Sequence, residues 1–307
     1  MKILITGSEG YLGKILVSLL QKQGHKVTGI DNLLYWQDPS PETKFGDITS
    51  IADMYHATQD VDAVVALAAI VGDEACQLDE VGTINVNYEA TKLLLEMCEL
   101  NGVKKLIYAS TCSVYGDSSD KIATETAATN PLSLYAKTRL MSEELVMKSR
   151  KTVSKVLRFG TLFGYSPRMR FDLVANLMTA TAVFDHKVMV KGGDQWRPLL
   201  HVEDAAESIA FALRTSAHGI FNVVGENIQI QQIAETVKSL IKDTEIITKN
   251  AKDKRDYRVD SSKIKELGMI PRRSLAVGVK EIKQALKKNN INYKDSKFYN
   301  VNMLRDI

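Results

Sequence analysis

The stretch Gly7-Ser8-Glu9-Gly10-Tyr11-Leu12-Gly13 decides the fold. It follows Lys2 to Thr6, an apolar run that reads as a buried strand. It opens a segment in which Tyr11, Leu12, Ile15, Leu16, Leu19 and Leu20 recur at helical spacing until Gly24. A glycine turn between strand and helix lets backbone N–H groups and the positive end of the helix dipole face a pyrophosphate. Gly7 permits the tight turn, Gly10 the approach of phosphate to backbone, and Gly13 the close packing of helix on strand. The first glycine interval is one residue longer than in the usual dinucleotide fingerprint.

Asp31 closes the next apolar run, Lys26 to Ile30, roughly 20 residues downstream, where an acid binds the adenosine ribose hydroxyls. Its carboxylate repels a 2′-phosphate, and Asn32-Leu33-Leu34-Tyr35 offers no Arg or Lys to attract one. The expected cofactor is therefore NAD(H) rather than NADP(H).

Asp62 to Ala68, Lys104 to Ser110 and Val153 to Phe159 read as further strands. Helices are predicted over Asn85 to Leu100, closed by Asn101-Gly102, and from about Ser133 to Ser149. This alternation implies right-handed crossovers and an α/β fold, a Rossmann doubly wound parallel sheet. Residues 1–165 are assigned to the NAD-binding domain, and 166–307 to a smaller, discontinuous α/β substrate lobe. The run Gly219 to Val224 is buried-strand-like, so about 200–224 is expected to rejoin the first sheet. Lys287 to Ile307 has little apolar periodicity and is expected to be a loose tail or an arm.

The 307 residues are 45% hydrophobic and 25% charged with a net charge of +3, ordinary globular values that give no electrostatic reason to expect nucleic acid. Cys76, Cys98 and Cys112 lie far apart and show no metal-ligand spacing, so reduced, buried thiols and no metal are expected. No signal-peptide pattern follows Met1, and no apolar run approaches the ~20 residues that span a bilayer. The expectation is a cytoplasmic protein without a membrane partner.

Beyond these motifs, nearly the whole chain resembles the extended short-chain dehydrogenase/reductase family, in particular its NAD-dependent nucleotide-sugar epimerases and dehydratases, among them UDP-glucose 4-epimerase. The resemblance makes Gly7, Glu9, Gly10, Tyr11, Leu12 and Gly13 the cofactor loop, and Asp31 and Asn32 the ribose site. It puts Asp47 and Ile48 at the adenine, and Leu67, Ala68 and Ala69 at the strand end beside the cofactor. Asn87 matches an Asn of the fourth helix, and Ser110-Thr111-Cys112-Ser113 the Ser/Thr-rich strand end that touches cofactor and sugar. Asn176-Leu177-Met178 is similar to a diphosphate-contacting segment of the 4-epimerases, Arg197 to a phosphate-binding Arg, and Lys254 to Asp260 to a basic segment closing over the nucleotide. Ser166 to Leu173 resembles a subgroup acting on deoxy- and heptose-type sugars. Arg168, Arg170, Arg197, Arg255 and Arg258 are candidates for diphosphate recognition, because guanidinium binds phosphate bidentately. His201 reads as structural.

The family's catalytic pattern is Tyr-x-x-x-Lys on a helix, whereas this chain carries Tyr135-Ala136-Lys137-Thr138-Arg139. Residues four apart share a helix face and residues two apart do not, so Arg139 rather than Lys137 inherits the cation's place. A neighbouring cation lowers a phenol's pKa from about 10 and lets it act as base. The resemblance makes Tyr135 that base, assigns Tyr135 and Arg139 to the nicotinamide ribose as well, and makes Thr111 the catalytic hydroxyl. The dehydratases carry Asp and Glu after that Thr; Cys112 and Ser113 stand here, which disfavours loss of water.

The expected activity is C4 epimerisation of a nucleotide-diphosphate sugar through a 4-keto intermediate. A nucleotide-sugar dehydrogenase or 4-ketoreductase is the alternative, and a non-catalytic NAD(H)-binding sensor or scaffold the alternative of another class. The resemblance also implies a homodimer through the helices around Asn85–Leu100 and Ser133–Ser149.

Overall fold

The computed structural model describes residues 1–35, 38–149, 151–251, 253 and 255–305, without the side chains of 118–121. The elements that build the site are β1 (Lys2–Thr6), α1 (Tyr11–Lys22), β2 (Lys26–Asp31), β3 (Thr43–Phe45), β4 (Ala63–Ala66), α2 (Asp73–Leu78), α3 (Glu80–Ile84), α4 (Ala90–Leu100), β5 (Lys105–Thr111), α5 (Leu134–Lys148), β6 (Val153–Phe159), α6 (Val174–Asp185), α7 (Val202–Arg214), β7 (Gly219–Val223), α8 (Leu275–Lys288) and α9 (Asn300–Arg305).

Seven strands form one parallel sheet in the order β7-β6-β5-β4-β1-β2-β3, the Rossmann arrangement. The chain runs outward from β1 to β3 and returns through β4 on the other side of β1. The crevice outside the carboxyl ends of β1 and β4 is thus the switch point where such sheets bind ligands. Strands such as Ala63–Ala66 are buried on both sides because helices cover both faces. α1 and α7 bury Leu16, Leu20, Ile209 and Leu213 with Ile3, Ile5, Ile107 and Leu157 of the sheet. On the other face α4 and α5 bury Leu94, Cys98 and Val146 with Leu4, Val64 and Leu106.

β7 returns from the second half of the chain to pair with β6 from Gly219↔Lys155 to Val223↔Phe159. The remaining lobe packs Met178, Val188, Leu199, Ile233 and Val279 around a three-stranded sheet of residues 161–163, 196–201 and 226–229 and a parallel pair, 187–191 with 245–249. No helix among the described residues is long and apolar enough to cross a membrane. The three cysteines are free and buried.

One expectation is corrected and another narrowed. The helix read as Asn85 to Leu100 begins earlier, at Glu80, and passes through a π turn over Asn85–Glu89 before α4. The wider turn centres on Asn87, whose amide is wholly buried and bonded to the loop after β4. The end of the chain, read as a loose tail or an arm, is an arm, docked through the described residues to Arg305. Phe298 stands edge-on to Phe171 at 5.4 Å, and Tyr293 stacks on Phe184 at 5.7 Å. Val301 and Leu304 of α9 pack against Ile70, Ala75 and Cys76. Irregularly spaced aromatics carry this docking, and they leave no periodic stripe.

Candidate active site

Gly7 takes φ +72°, and a Cβ on Gly13 would lie 2.2 Å from the Gly7 carbonyl oxygen, so helix and loop meet only without side chains. Gly10 caps α1 with no side-chain hydrogen bond, and the first turn carries no acid. The helix start is therefore left to an external anion. Asp31 is fixed at the end of β2, its Oδ2 accepting Glu9 N–H at 2.9 Å and its Oδ1 Leu33 N–H at 2.8 Å. Burial pushes its carboxyl above the usual value against the pull of those two bonds. These features fit NAD: a cradle for its diphosphate and an acid for its adenosine ribose.

Other expected cofactor residues divide into those at the crevice and those turned elsewhere. Ile48 and Ala68 line a small cavity with Thr6, Thr91 and Tyr108. Leu67 and Ala68 are held by Thr6, whose carbonyl and hydroxyl accept their N–H groups at 3.1 and 3.3 Å, and Ala69 follows half-buried. Asn32 and Asp47 use their side chains on Leu34 N–H and Thr49 N–H within their own exposed turns. The Glu9 carboxylate turns to Lys14, Ser40 and Thr43, leaving its backbone at the loop. The Tyr11 hydroxyl donates to Gly164 O at 2.6 Å, fastening the second lobe to α1, and Leu12 packs in the core. Asn87 grips Ile70 N and O at 2.9 Å each, bracing the loop after β4.

At the end of β5 the pleat separates neighbours. Ser110 donates to Glu143 on α5, which holds Arg158 of β6 by bonds of 3.0 Å to Nε and 2.6 Å to Nη2. The Ser110 hydroxyl, expected at the cofactor, thus gives its one proton to a buried ion pair. Thr111 Oγ1 accepts Ser113 N–H at 3.1 Å, starting the turn Cys112–Tyr115. That turn buries Cys112 to 1% exposure with its thiol on Arg158 O, so Cys112 is withdrawn from the substrate site. Ser113 stays half-buried and meets the Tyr257 hydroxyl at 3.3 Å.

Ser133 caps α5 and starts the turn that presents Tyr135. Tyr135 packs against the buried cluster of Ile70, Ala75 and Cys76, which Val86, Val301 and Leu304 also cover. Burial raises its pKa, opposed by the charges of Arg139 and Arg170. Arg139 is 3% exposed; its Nη2 donates to Ala109 O, and its guanidinium lies 4.6 Å from the Tyr108 ring centroid. Tyr135 and Arg139 thus share one face, as their spacing predicts. Arg170, expected at a diphosphate, acts on Tyr135 from the other lobe.

In that lobe Asn176 is wholly buried. Its Oδ1 accepts Gly164 N–H, and its Nδ2 donates to Tyr11 Oη at 3.1 Å and to Arg170 O at 2.9 Å. The amide braces the 164–170 loop and has nothing left for a diphosphate, which corrects its expected role. Arg197 binds Asp253 at 2.6 Å, and Arg255 bridges Asp253 at 2.9 Å and Asp73 of α2 at 2.8 Å, tying the lobe across the crevice. Arg258 lies over Trp196, and Lys254 falls outside the described residues. His201 accepts Glu203 N–H at the start of α7 and meets Glu281 at 2.9 Å, a structural post. Among the described residues no three His, Cys, Asp or Glu cluster as a metal site.

The sequence reading missed Glu143 and Arg158. Glu143 lies four residues after Arg139 on the same face, and Arg158 is a charge inside an apolar strand. Both were visible signals of a buried pair.

The model of the NAD dependent epimerase/dehydratase family matches residues 3–224. UDP-glucuronate 4-epimerase of Thermodesulfobacterium geofontis is 30% identical over 260 residues, 78% of this chain and 80% of that protein. The uncharacterized UDP-glucose epimerase YtcB of Bacillus subtilis is 29% identical over 249 residues, 75% and 76% of the two chains. Among solved structures, UDP-glucose 4-epimerase of Thermotoga maritima with UDP-glucose is 25% identical with a TM-score of 0.87, covering 95% of this chain and all of that one. UDP-glucuronic acid 4-epimerase of Bacillus cereus, in complex with UDP-glucuronic acid and NAD, is 27% identical with a TM-score of 0.83, covering 94% of this chain and 100% of that one. With its cradle for a dinucleotide and its tyrosine beside a cation, the chain belongs to the NAD-dependent epimerase/dehydratase family of enzymes, and its cofactor is NAD.

Proposed function

We propose that the protein is a C4 epimerase of a nucleotide-diphosphate sugar. The observation that carries this reading is the shared face of Tyr135 and Arg139 beside a strand end, Thr111-Cys112-Ser113, that holds no acid pair. Bound NAD supplies the hydride acceptor and donor for the sugar carbon. Tyr135 Oη takes the proton of the sugar's 4-hydroxyl as the 4-keto sugar forms, and gives it back after the ring has presented its other face. The positive charges of Arg139 and Arg170 stabilise the phenolate in the interval. Thr111 Oγ1, fixed by Ser113 N–H, offers a hydroxyl to the same oxygen. Without an acid and base after Thr111, the keto sugar has no group to expel its neighbouring hydroxyl, so it is reduced again rather than dehydrated. Arg197 and Arg255 are assigned to the sugar nucleotide's diphosphate, which must compete for them with Asp253 and Asp73.

The test supplies UDP-, GDP- and dTDP-sugars and follows epimer formation together with NADH absorbance. Catalytic epimer formation without accumulating NADH is expected. Stoichiometric NADH with no epimer makes the protein a dehydrogenase. No turnover on any of them, with NAD binding intact, favours a binding-only role. A homodimer is proposed through exposed Met141 of α5, one of the helices expected to pair, and exposed Val81 and Ile84 of α3, which leads into the other; a monomer in sedimentation velocity would refute it.

A further inference from the structure

Two buried hydrogen-bonding groups lie side by side near the phosphate loop, Arg168 Nε and Tyr35 Oη, neither with a partner among the described residues. The Arg168 guanidinium sits over the Tyr35 ring, 4.9 Å from its centroid, and the residue is 2% exposed. Its Nη2 donates to a neutral amide, Asn300 Oδ1 at 2.6 Å. The neighbouring Asp172 is gripped by Arg170 through bonds of 3.0 and 2.6 Å. Burial, reinforced by the charge of Arg170, lowers the Arg168 pKa to about 10. Asp172 and Asp31 act on this guanidinium only at a distance, and among the described residues no carboxylate is bonded to it, as a buried charge requires.

Its position says which anion. The loop that carries Arg168 is fastened to α1: Ser166 Oγ donates to Tyr11 O at 2.7 Å, and Tyr11 Oη to Gly164 O. Arg168 is near enough to Asp31 to act on its carboxyl, and Arg170 near enough to Tyr135 to act on its phenol. The arginines therefore occupy the stretch between the acid for the adenosine ribose and the tyrosine of the reaction centre, alongside the uncapped start of α1. In a dinucleotide that stretch is its diphosphate. The loop after β2 brings no cation of its own in Asn32-Leu33-Leu34-Tyr35.

We propose that Arg168 and Tyr35 bind the diphosphate of NAD, with the second lobe supplying the cation that the loop after β2 lacks. Asn300, whose Nδ2 also reaches Val71 O at 3.4 Å, positions the guanidinium from the C-terminal arm. The cofactor is thereby gripped by both lobes, which suits an enzyme that must keep reduced cofactor until the hydride is returned. The inference rests on the chain's use of NAD and on no particular sugar.

The experiment titrates the NAD-free full chain and its Arg168→Met, Tyr35→Phe and Asn300→Ala variants with NAD, ADP-ribose, adenosine and UDP by calorimetry. Arg168→Met should weaken NAD and ADP-ribose about 10- to 100-fold, the range of a charge-assisted hydrogen bond. Tyr35→Phe and Asn300→Ala should weaken both about 3- to 10-fold. Adenosine, which lacks the diphosphate, should change less than about twofold in every variant. The NAD content of the purified Arg168→Met protein should fall in step. Equal losses for adenosine and NAD overturn the proposal. So does unchanged NAD affinity with weakened UDP, which would give the pair to the substrate. Should Arg168→Met fail to fold, Tyr35→Phe and Arg168→Lys decide, and wild-type affinity for NAD and ADP-ribose in both refutes it.

Discussion

Tyr135 shows how burial and two charged neighbours set one proton equilibrium. Burial against Ile70, Ala75 and Cys76 raises the phenol pKa above its usual value, and the guanidinium charges of Arg139 and Arg170 only partly offset it. The reactive form is the phenolate, so turnover should climb as pH rises towards that pKa, by up to about tenfold per pH unit. Arg139→Met removes a charge that lowers the pKa and should move this limb to higher pH; Arg139→Lys should leave it near the wild-type position. Tyr135→Phe should cut kcat by about 10²- to 10⁴-fold. A pH–rate profile flat from 7 to about 10, or one unmoved in Arg139→Met, would remove Tyr135 from the base's role. Glu143 poses a different question at the same scale. It is 1% exposed and neutralises the equally buried Arg158, so Glu143→Gln leaves an uncompensated guanidinium. The expected loss is about 3–5 kcal/mol, read from urea unfolding. A change below about 1 kcal/mol would mean the pair is dispensable.

The join of β1, loop and α1 is where local sequence and function coincide, and there the reading from sequence was most complete. Glycine spacing and the apolar period need no distant partner to be interpreted, so strand, cradle, helix and the acid at the end of β2 were all legible. Side-chain direction at a strand end was less so. Ser110 and Thr111 are adjacent, and only the sheet's pleat, seen once β6 and α5 are in place, assigns one to Glu143 and the other to the turn that follows β5. Asn176 misled for a related reason: its motif resembles a ligand contact, but the lobe's closure on Tyr11 consumes its amide. The cradle makes a sharp prediction. In Gly13→Ala the new Cβ would meet backbone oxygens of Gly7 and Ser8 at 2.2 and 2.6 Å, atoms that cannot turn aside. The variant should lose about 1–3 kcal/mol of stability and bind NAD more weakly. An unchanged unfolding midpoint and NAD affinity would show that the helix can retreat without cost.

Across the whole molecule, distant segments are held together by contacts that no periodicity announces. Tyr11 with Gly164, Arg255 with Asp73 and Asn300 with Arg168 each join residues more than 130 positions apart. Such partners are chosen by topology, which is why the arginines could be picked out as cations but not placed. The C-terminal arm is the largest instance. Tyr293 and Phe298 are 6% and 7% exposed, and they cover Phe184 and Phe171 of the second lobe while α9 reaches the loop beside Tyr135. Ending the chain after Asn289 would bare both faces. Burial of two aromatic side chains contributes roughly 3–6 kcal/mol, so the melting midpoint should fall on the order of 5–10 °C. The truncated protein should also release NAD faster, because Arg168 loses Asn300 and the crevice loses its outer wall. Calorimetry and a stopped-flow chase of bound NADH would measure the two effects separately. A lower midpoint with unchanged NADH release would make the arm a buttress only, and an unchanged midpoint would mean that its aromatic contacts add nothing to the fold.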